Sequence, residues 1–79
     1  MSPTVLRWRT YRFFFFSREE RRVHVHVCCP DGEAKFWLEP AVSLARSYGL
    51  RPEQLSILKR VVEQHSDEIA KAWNEHFGR

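Results

Sequence analysis

Residues Val23–Leu38, with the sequence V-H-V-H-V-C-C-P-D-G-E-A-K-F-W-L, have the pattern of a β-hairpin, and they are the strongest indication of the fold. Valine alternates with histidine or cysteine up to Cys28, as expected of a strand with one buried face. The next four residues, Cys29-Pro30-Asp31-Gly32, are typical of a tight turn. A four-residue loop at 29–32 then predicts six facing pairs: Cys28–Glu33, Val27–Ala34, His26–Lys35, Val25–Phe36, His24–Trp37 and Val23–Leu38.

This register sorts the hairpin into two faces, which we name the apolar face and the polar face. The predicted apolar face carries Val23, Val25, Val27, Ala34, Phe36 and Leu38. The predicted polar face carries His24, His26, Cys28, Glu33, Lys35 and Trp37. Because a slip by one residue would mix the two sets, the sequence specifies the register strongly.

Two further strands are predicted on the N-terminal side of the hairpin, at Thr4–Trp8 and Tyr11–Phe16. The second strand includes four consecutive phenylalanines, Phe13 to Phe16, so both of its faces are apolar. Such a strand belongs in a sheet that is covered on both sides, or at an interface. Core filling is the default, but six phenylalanines and three tryptophans exceed what one helix easily covers, which favours a partner interface for part of this surface.

The pattern changes from strands to helix between Pro40 and Pro52. Residues 41–48 fit a short strand or a helical turn, and the sequence does not decide between them. Pro52, followed by an acidic residue, is typical of a helix start. Apolar residues then recur every three or four positions, which favours one helix over 52–77 against two shorter ones. The sequence Ser66-Asp67-Glu68 resembles a helix cap inside that range.

Together these segments predict one α+β domain over residues 1–79. A mainly antiparallel sheet of three to four strands, within residues 1–48, is expected to pack against the long C-terminal helix. A chain of this length buries only about 60% of its unfolded surface, so the core is marginal and the site must be small. Dinucleotide-binding and multi-domain enzyme folds are excluded by length.

Composition and charge narrow the class of protein further. No apolar run is long enough for a transmembrane helix, and no signal segment is recognisable, so we expect a cytoplasmic protein without membrane contact. The adjacent Cys28 and Cys29 are expected to be free thiols. The net charge is +3, and residues 1–29 carry a net +4, which suits either phosphate contacts or a solvated strand edge.

The polar face of the hairpin is where the sequence points to chemistry. His24 and His26 could act as general base and general acid in RNA cleavage, because free imidazole titrates near neutrality. The predicted phosphate contacts come from Lys35 with Arg12 or Arg22. Trp37 is the predicted stacking surface for an unpaired base.

Two other readings of the polar face stay open. His24, His26 and Cys28, with Glu33 as a fourth group, have ligand types suited to zinc. Lys35 opposes a bound cation there, so we expect no metal and no cofactor. The simplest reading is that the histidines are ordinary polar residues on a half-exposed sheet face.

The chain also resembles a known family over almost its full length. The matching segments are P-T-V-L-R, Y-R-F-F-F, H-V-H-V, D-G-E-A-K-F-W-L-E-P, L-A-R-S-Y-G-L and A-W-N-E-H-F. In this respect it is similar to members of domain-of-unknown-function family 4160, which are small bacterial and archaeal proteins. The resemblance implies a toxin role, because such proteins are commonly encoded beside a member of domain-of-unknown-function family 2442, as a proposed type II toxin–antitoxin module. Arg21-Arg22 replaces prolines that usually precede the histidines.

The sequence thus predicts a toxin that acts on RNA, as a metal-independent endoribonuclease or an RNA-binding growth inhibitor, through His24, His26 and Lys35. Its expected partners are an acidic antitoxin-like protein and RNA, and a homodimer is a further option. The alternative is a non-catalytic module that docks a protein through an exposed aromatic sheet face.

Overall fold

The computed structural model describes residues 4–16 and 21–78, which form one five-stranded antiparallel sheet followed by two helices. The elements are β1 (Thr4–Trp8), β2 (Tyr11–Phe14), β3 (His24–Cys29), β4 (Gly32–Trp37), β5 (Ser43–Tyr48), α1 (Pro52–Gln64) and α2 (Ser66–Phe77). The strands lie side by side in chain order. The predicted α+β class is confirmed, with five strands where three to four were expected.

The central hairpin has the predicted register. His24, Val25, His26, Val27 and Cys28 lie opposite Trp37, Phe36, Lys35, Ala34 and Glu33. The backbone N–H of Leu38 donates to the carbonyl oxygen of Val23 at 2.9 Å, beyond the last paired residues of the two strands. At the other end Cys29 pairs with Gly32, so the turn has two residues instead of four.

The apolar face of the sheet forms the core with the two helices. The buried residues from the strands and the segment after β2 are Phe13, Phe15, Val25, Val27, Ala34 and Phe36. The helices contribute Leu58, Val61, Val62, Ile69 and Trp73. Phe14, which alternates with Phe13 along β2, is also buried, so this strand is covered on both faces as its sequence predicts.

Residues 41–48, which the sequence left undecided, contain a strand. β5 pairs with β4, and a β-bulge shifts the register between Lys35, which faces Arg46, and Phe36, which faces Leu44. The end of β5 lies tightly against the hairpin turn, because a side chain at Gly32 would clash with the carbonyl oxygen of Tyr48. Gly49 follows with a φ of +78°, a left-handed conformation that glycine adopts at low cost.

The prediction of one continuous helix over 52–77 is wrong, because α1 ends at Gln64 and α2 begins at Ser66, with His65 between them. The φ and ψ of His65 are −111° and 17°, outside the helical range. Its Nδ1–H donates to Glu68 Oε1 at 3.0 Å, and Asp67 and Glu68 supply the acidic first turn that favours a new helix start. The backbone N–H of His65 still donates to the carbonyl oxygen of Val61 at 3.0 Å, and that of Ile69 donates to the carbonyl oxygen of His65 at 2.9 Å. These helix-like hydrogen bonds on both sides of His65 explain why the apolar spacing is unbroken.

The start of α1 is tied to the sheet by Gln54. Its Oε1 accepts from the backbone N–H of Arg51 at 2.9 Å, and its Nε2 lies within 3.1–3.2 Å of Tyr11 Oη and Asp31 Oδ2. Neither helix is long and apolar enough to cross a membrane.

Candidate functional site

Strand pairing arranges the polar face in rows of side chains that cross the sheet: His24 pairs with Trp37, and two longer rows extend from the hairpin onto β2 and β5. The first longer row is Phe14, His26, Lys35 and Arg46, and the second is Arg12, Cys28, Glu33 and Tyr48. Side chains that face each other directly across antiparallel strands have Cβ atoms about 4.5–5.5 Å apart. The rows therefore bring residues from four strands into one small area.

The centre of the polar face is buried rather than half-exposed. His24 has none of its surface exposed, His26 has 8% and Lys35 has 7%. Buried polar groups need partners, and every described side chain of this kind has one. The three predicted catalytic residues are therefore held in place by their surroundings.

His26 is enclosed by aromatic rings. Its ring centroid lies 4.4 Å from that of Phe16 and 5.5 Å from that of Phe14. Phe14 and Phe16 also contact each other edge to face, with centroids 5.3 Å apart. Phe14 and Phe16, the two alternating phenylalanines on this face, thus limit the approach to His26 from solvent.

His24 is fully buried, and its ring contacts Trp37 of β4 and Trp73 of α2. Its Nδ1–H donates to the carbonyl oxygen of Arg22 at 2.7 Å, which leaves Nε2 with the lone pair when the ring is neutral. Its centroid lies 5.5 Å from Trp37 and 5.1 Å from Trp73. A side chain packed in this way can position its neighbours, but a substrate would not reach it without movement of these rings.

The three predicted substrate-binding residues are engaged with other protein groups. The guanidinium of Arg22 lies 4.2 Å from the centre of the Trp37 ring, and Lys35 Nζ lies 4.4 Å from it. Arg12 donates through Nε to Thr4 Oγ1 at 2.6 Å and lies 4.7 Å from the Phe14 ring. Trp37 is therefore a contact surface for two cations, which reduces the ring area available to a base.

A cavity of about 150 Å³ opens on the polar face beside His26. His26 and Lys35 form its buried part, the rings of Phe14 and Phe16 provide apolar wall, and Val27 and Ala34, whose side chains lie on the apolar face, also border it. Glu33, Arg46 and Tyr48 line it as exposed residues, together with Ser47. Cationic, anionic, imidazole and aromatic groups thus meet in a space of molecular size.

The sequence identified part of this cavity and missed the rest. His26 and Lys35 line it, whereas His24 does not. Arg46 and Tyr48 were missed because residues 41–48 had no assigned structure, although their spacing of two would place them on one strand face. Glu33 was considered only as a metal ligand.

No three histidine, cysteine, aspartate or glutamate side chains converge on a metal-binding position within residues 4–16 and 21–78. The alternative set of His24, His26, Cys28 and Glu33 lies within this part of the chain. Cys28 and Cys29 are free thiols, as predicted, and both are half-buried.

The fold and the cavity define a small α+β protein with a five-stranded antiparallel sheet and a histidine-containing polar face. The chain belongs to the family described as "Domain of unknown function (DUF4160)", whose model matches residues 10–74. This confirms the resemblance, and the family description assigns no activity. The chain has no significant match among curated proteins or among solved structures.

Proposed function

We propose that the protein is the toxin of a type II toxin–antitoxin pair and that it inhibits growth by acting on single-stranded RNA at the cavity. The observation that carries this proposal is the row of His26, Lys35 and Arg46 across three strands beside exposed aromatic rings. Basic side chains interleaved with aromatic ones are typical of surfaces that bind single-stranded nucleic acid.

Lys35 and Arg46 supply the positive charge for a phosphate. They face each other across β4 and β5, and both line the cavity. Lys35 is buried, where charges interact more strongly than in water, and Arg46 is exposed and can bind phosphate oxygens through two N–H groups. Arg12 and Arg22, the other predicted phosphate contacts, do not line the cavity, and Arg12 lies next to it through its contact with the Phe14 ring.

Phe16 and Tyr48 supply stacking surfaces for bases. Phe16 is 45% exposed and Tyr48 is 78% exposed, and both line the cavity. Stacking contributes about 1–3 kcal/mol per base in single-strand complexes and needs unpaired bases. We therefore assign base stacking to Phe16 and Tyr48 instead of Trp37, because the Trp37 ring contacts Arg22 and Lys35.

An acidic antitoxin-like partner is expected to cover the same face. Complementary charge would speed its association and keep RNA away from the arginines. The exposed Arg21 and Arg22 lie at the start of the segment that leads into β3. Changing both to glutamate is expected to weaken growth inhibition and partner binding together.

The second candidate function is a non-catalytic docking module, which the exposed aromatic side chains of Phe16 and Tyr48 favour. A module of this kind would use the aromatic surface and would not depend on His26. The two functions therefore differ in how they respond to replacement of this imidazole.

The test is induced expression in a bacterial host, combined with RNA binding by the purified protein. We expect the wild type to arrest growth and to bind single-stranded RNA, and His26→Gln and Arg46→Glu to relieve the arrest. Arg60→Glu is the matched control, because Arg60 is an exposed arginine on α1 and does not line the cavity. Circular dichroism would establish that each variant is folded. Absence of growth arrest and RNA binding by the wild type would refute the proposal, and full arrest by His26→Gln would favour the docking module.

A further inference from the structure

Cleavage of RNA at a 2′-hydroxyl requires two proton-transfer groups. One takes the proton of the attacking hydroxyl and the other donates a proton to the leaving 5′-oxygen. The sequence paired His26 with His24 for these roles, but His24 is fully buried and does not line the cavity. If the cavity is a cleavage site, the partner of His26 must be another group.

Among residues 4–16 and 21–78, the one carboxylate that lines the cavity is that of Glu33. Glu33 lies on β4 two residues before Lys35, which itself faces His26. Residues in this diagonal relationship lie about 7–8 Å apart, which leaves room for a phosphate between their side chains. Glu33 is exposed, so a nucleotide can reach its carboxylate directly.

We infer that Glu33 is the general base and His26 the general acid of an RNA-cleaving site, and that its substrate is single-stranded RNA. A carboxylate is suited to accept the hydroxyl proton at neutral pH, and an imidazolium is suited to donate one. This inference deepens the proposed function and rests on it.

The groups around the pair fit the charge changes of this reaction. Lys35 faces His26 and lies two residues after Glu33 on β4, and Arg46 faces Lys35 from β5. Both cations line the cavity and would stabilise the negative charge that builds up on the phosphate oxygens in the transition state. Tyr48 faces Glu33 across β4 and β5, where it can stack on the base of the reacting nucleotide.

The reaction is a transesterification. Glu33 takes the 2′-hydroxyl proton as the 2′-oxygen forms a bond to phosphorus, and the bond from phosphorus to the 5′-oxygen breaks. His26 donates its proton to that oxygen, so the products are a 2′,3′-cyclic phosphate and a 5′-hydroxyl. Proton exchange with water restores the carboxylate and the imidazolium. No redox step or co-reactant is needed, and DNA is not cleaved because it lacks the 2′-hydroxyl.

The test uses the full-length protein with an end-labelled single-stranded RNA in the presence of EDTA. We expect cleavage that leaves 2′,3′-cyclic phosphate ends, and no cleavage of the matching DNA. Glu33→Gln and His26→Gln should each lower the cleavage rate about 10²–10⁴-fold. Glu33→Gln should bind RNA at least as tightly as the wild type, because it removes a negative charge. Glu53→Gln, an exposed glutamate on α1, is the matched control and should cleave normally.

The outcomes separate this inference from the proposal on which it rests. If the wild type binds RNA and arrests growth but does not cleave it, the inference is wrong and the proposed function stands. Cleavage that persists in Glu33→Gln, or that leaves linear 3′-hydroxyl ends, also overturns the inference. If the wild type neither binds RNA nor arrests growth, both are wrong.

Discussion

His26 and Lys35 face each other across β3 and β4 with both side chains buried. Burial of an imidazole beside an amine on a sheet face is costly unless both polar groups are satisfied. Here the Trp37 ring lies 4.4 Å from Lys35 Nζ, and Phe14 and Phe16 pack on His26. The two side chains are therefore fixed before any ligand arrives, which is the arrangement expected of a preorganised site.

Exposure of the aromatic residues predicts which of them binds RNA. Tyr48→Ala should weaken the affinity for single-stranded RNA about tenfold, the effect of losing one stacked base. Trp37→Leu should change the affinity much less, because the ring contacts Arg22 and Lys35. Fluorescence titration with a labelled oligonucleotide measures both variants. A larger loss in Trp37→Leu than in Tyr48→Ala would restore the original assignment of Trp37 as the stacking residue.

His24 is expected to matter for stability. His24→Ala removes a fully buried ring, its hydrogen bond to Arg22 and its contacts with Trp37 and Trp73. We expect the free energy of unfolding to fall by about 2–4 kcal/mol, as for other large-to-small changes in a core. Urea denaturation followed by circular dichroism is the measurement. His76→Ala, at an exposed position near the end of α2, should cost less than about 1 kcal/mol. Equal effects of the two changes would contradict the structural role of His24.

The hairpin was predictable because facing pairs of apolar residues alternate with facing pairs of polar residues along its length. Val25 and Val27 lie on the apolar face and His24 and His26 on the polar face, so only one register buries the valines. The break at His65 was not predictable from apolar spacing. The backbone hydrogen bonds around it keep the two helices almost in phase, and Glu68 satisfies the imidazole.

The cavity was only half predictable for a different reason. His26 and Lys35 come from one hairpin whose register is local, whereas Arg46 reaches the cavity only because β5 pairs with β4 through a bulge. A bulge changes which residues share a face of the sheet, and the sequence of residues 41–48 does not indicate where it occurs. The burial of the polar face was likewise hidden, because it depends on how Phe16 packs on His26.

The contact between the hairpin turn and the end of β5 predicts a strong effect of a small substitution. In Gly32→Ala the new methyl group would clash with the carbonyl oxygen of Tyr48 and lie 2.9 Å from Gly49 Cα. Backbone atoms have to move, so we expect a loss of about 1–3 kcal/mol in the free energy of unfolding. Tyr48 would be displaced as well, and RNA binding should fall with it.

Gly78→Ala is the control, because nothing lies within 4 Å of a side chain there. It should cost only about 1 kcal/mol through its positive φ. An unchanged unfolding midpoint in Gly32→Ala would show that β5 does not rest on the turn.

The salt dependence of RNA binding tests whether Arg46 contacts a phosphate. Each phosphate that a cation neutralises on a single strand contributes about −0.7 to the slope of log K against log salt concentration. Arg46→Gln should therefore weaken binding and make the slope shallower by about 0.7, whatever the base sequence of the RNA. Arg60→Gln removes the same charge from the exposed surface of α1, and its slope should equal that of the wild type. Binding isotherms at four or five salt concentrations give both slopes. If the two variants change the slope equally, RNA responds to net charge alone, and the cavity has no special role in binding it.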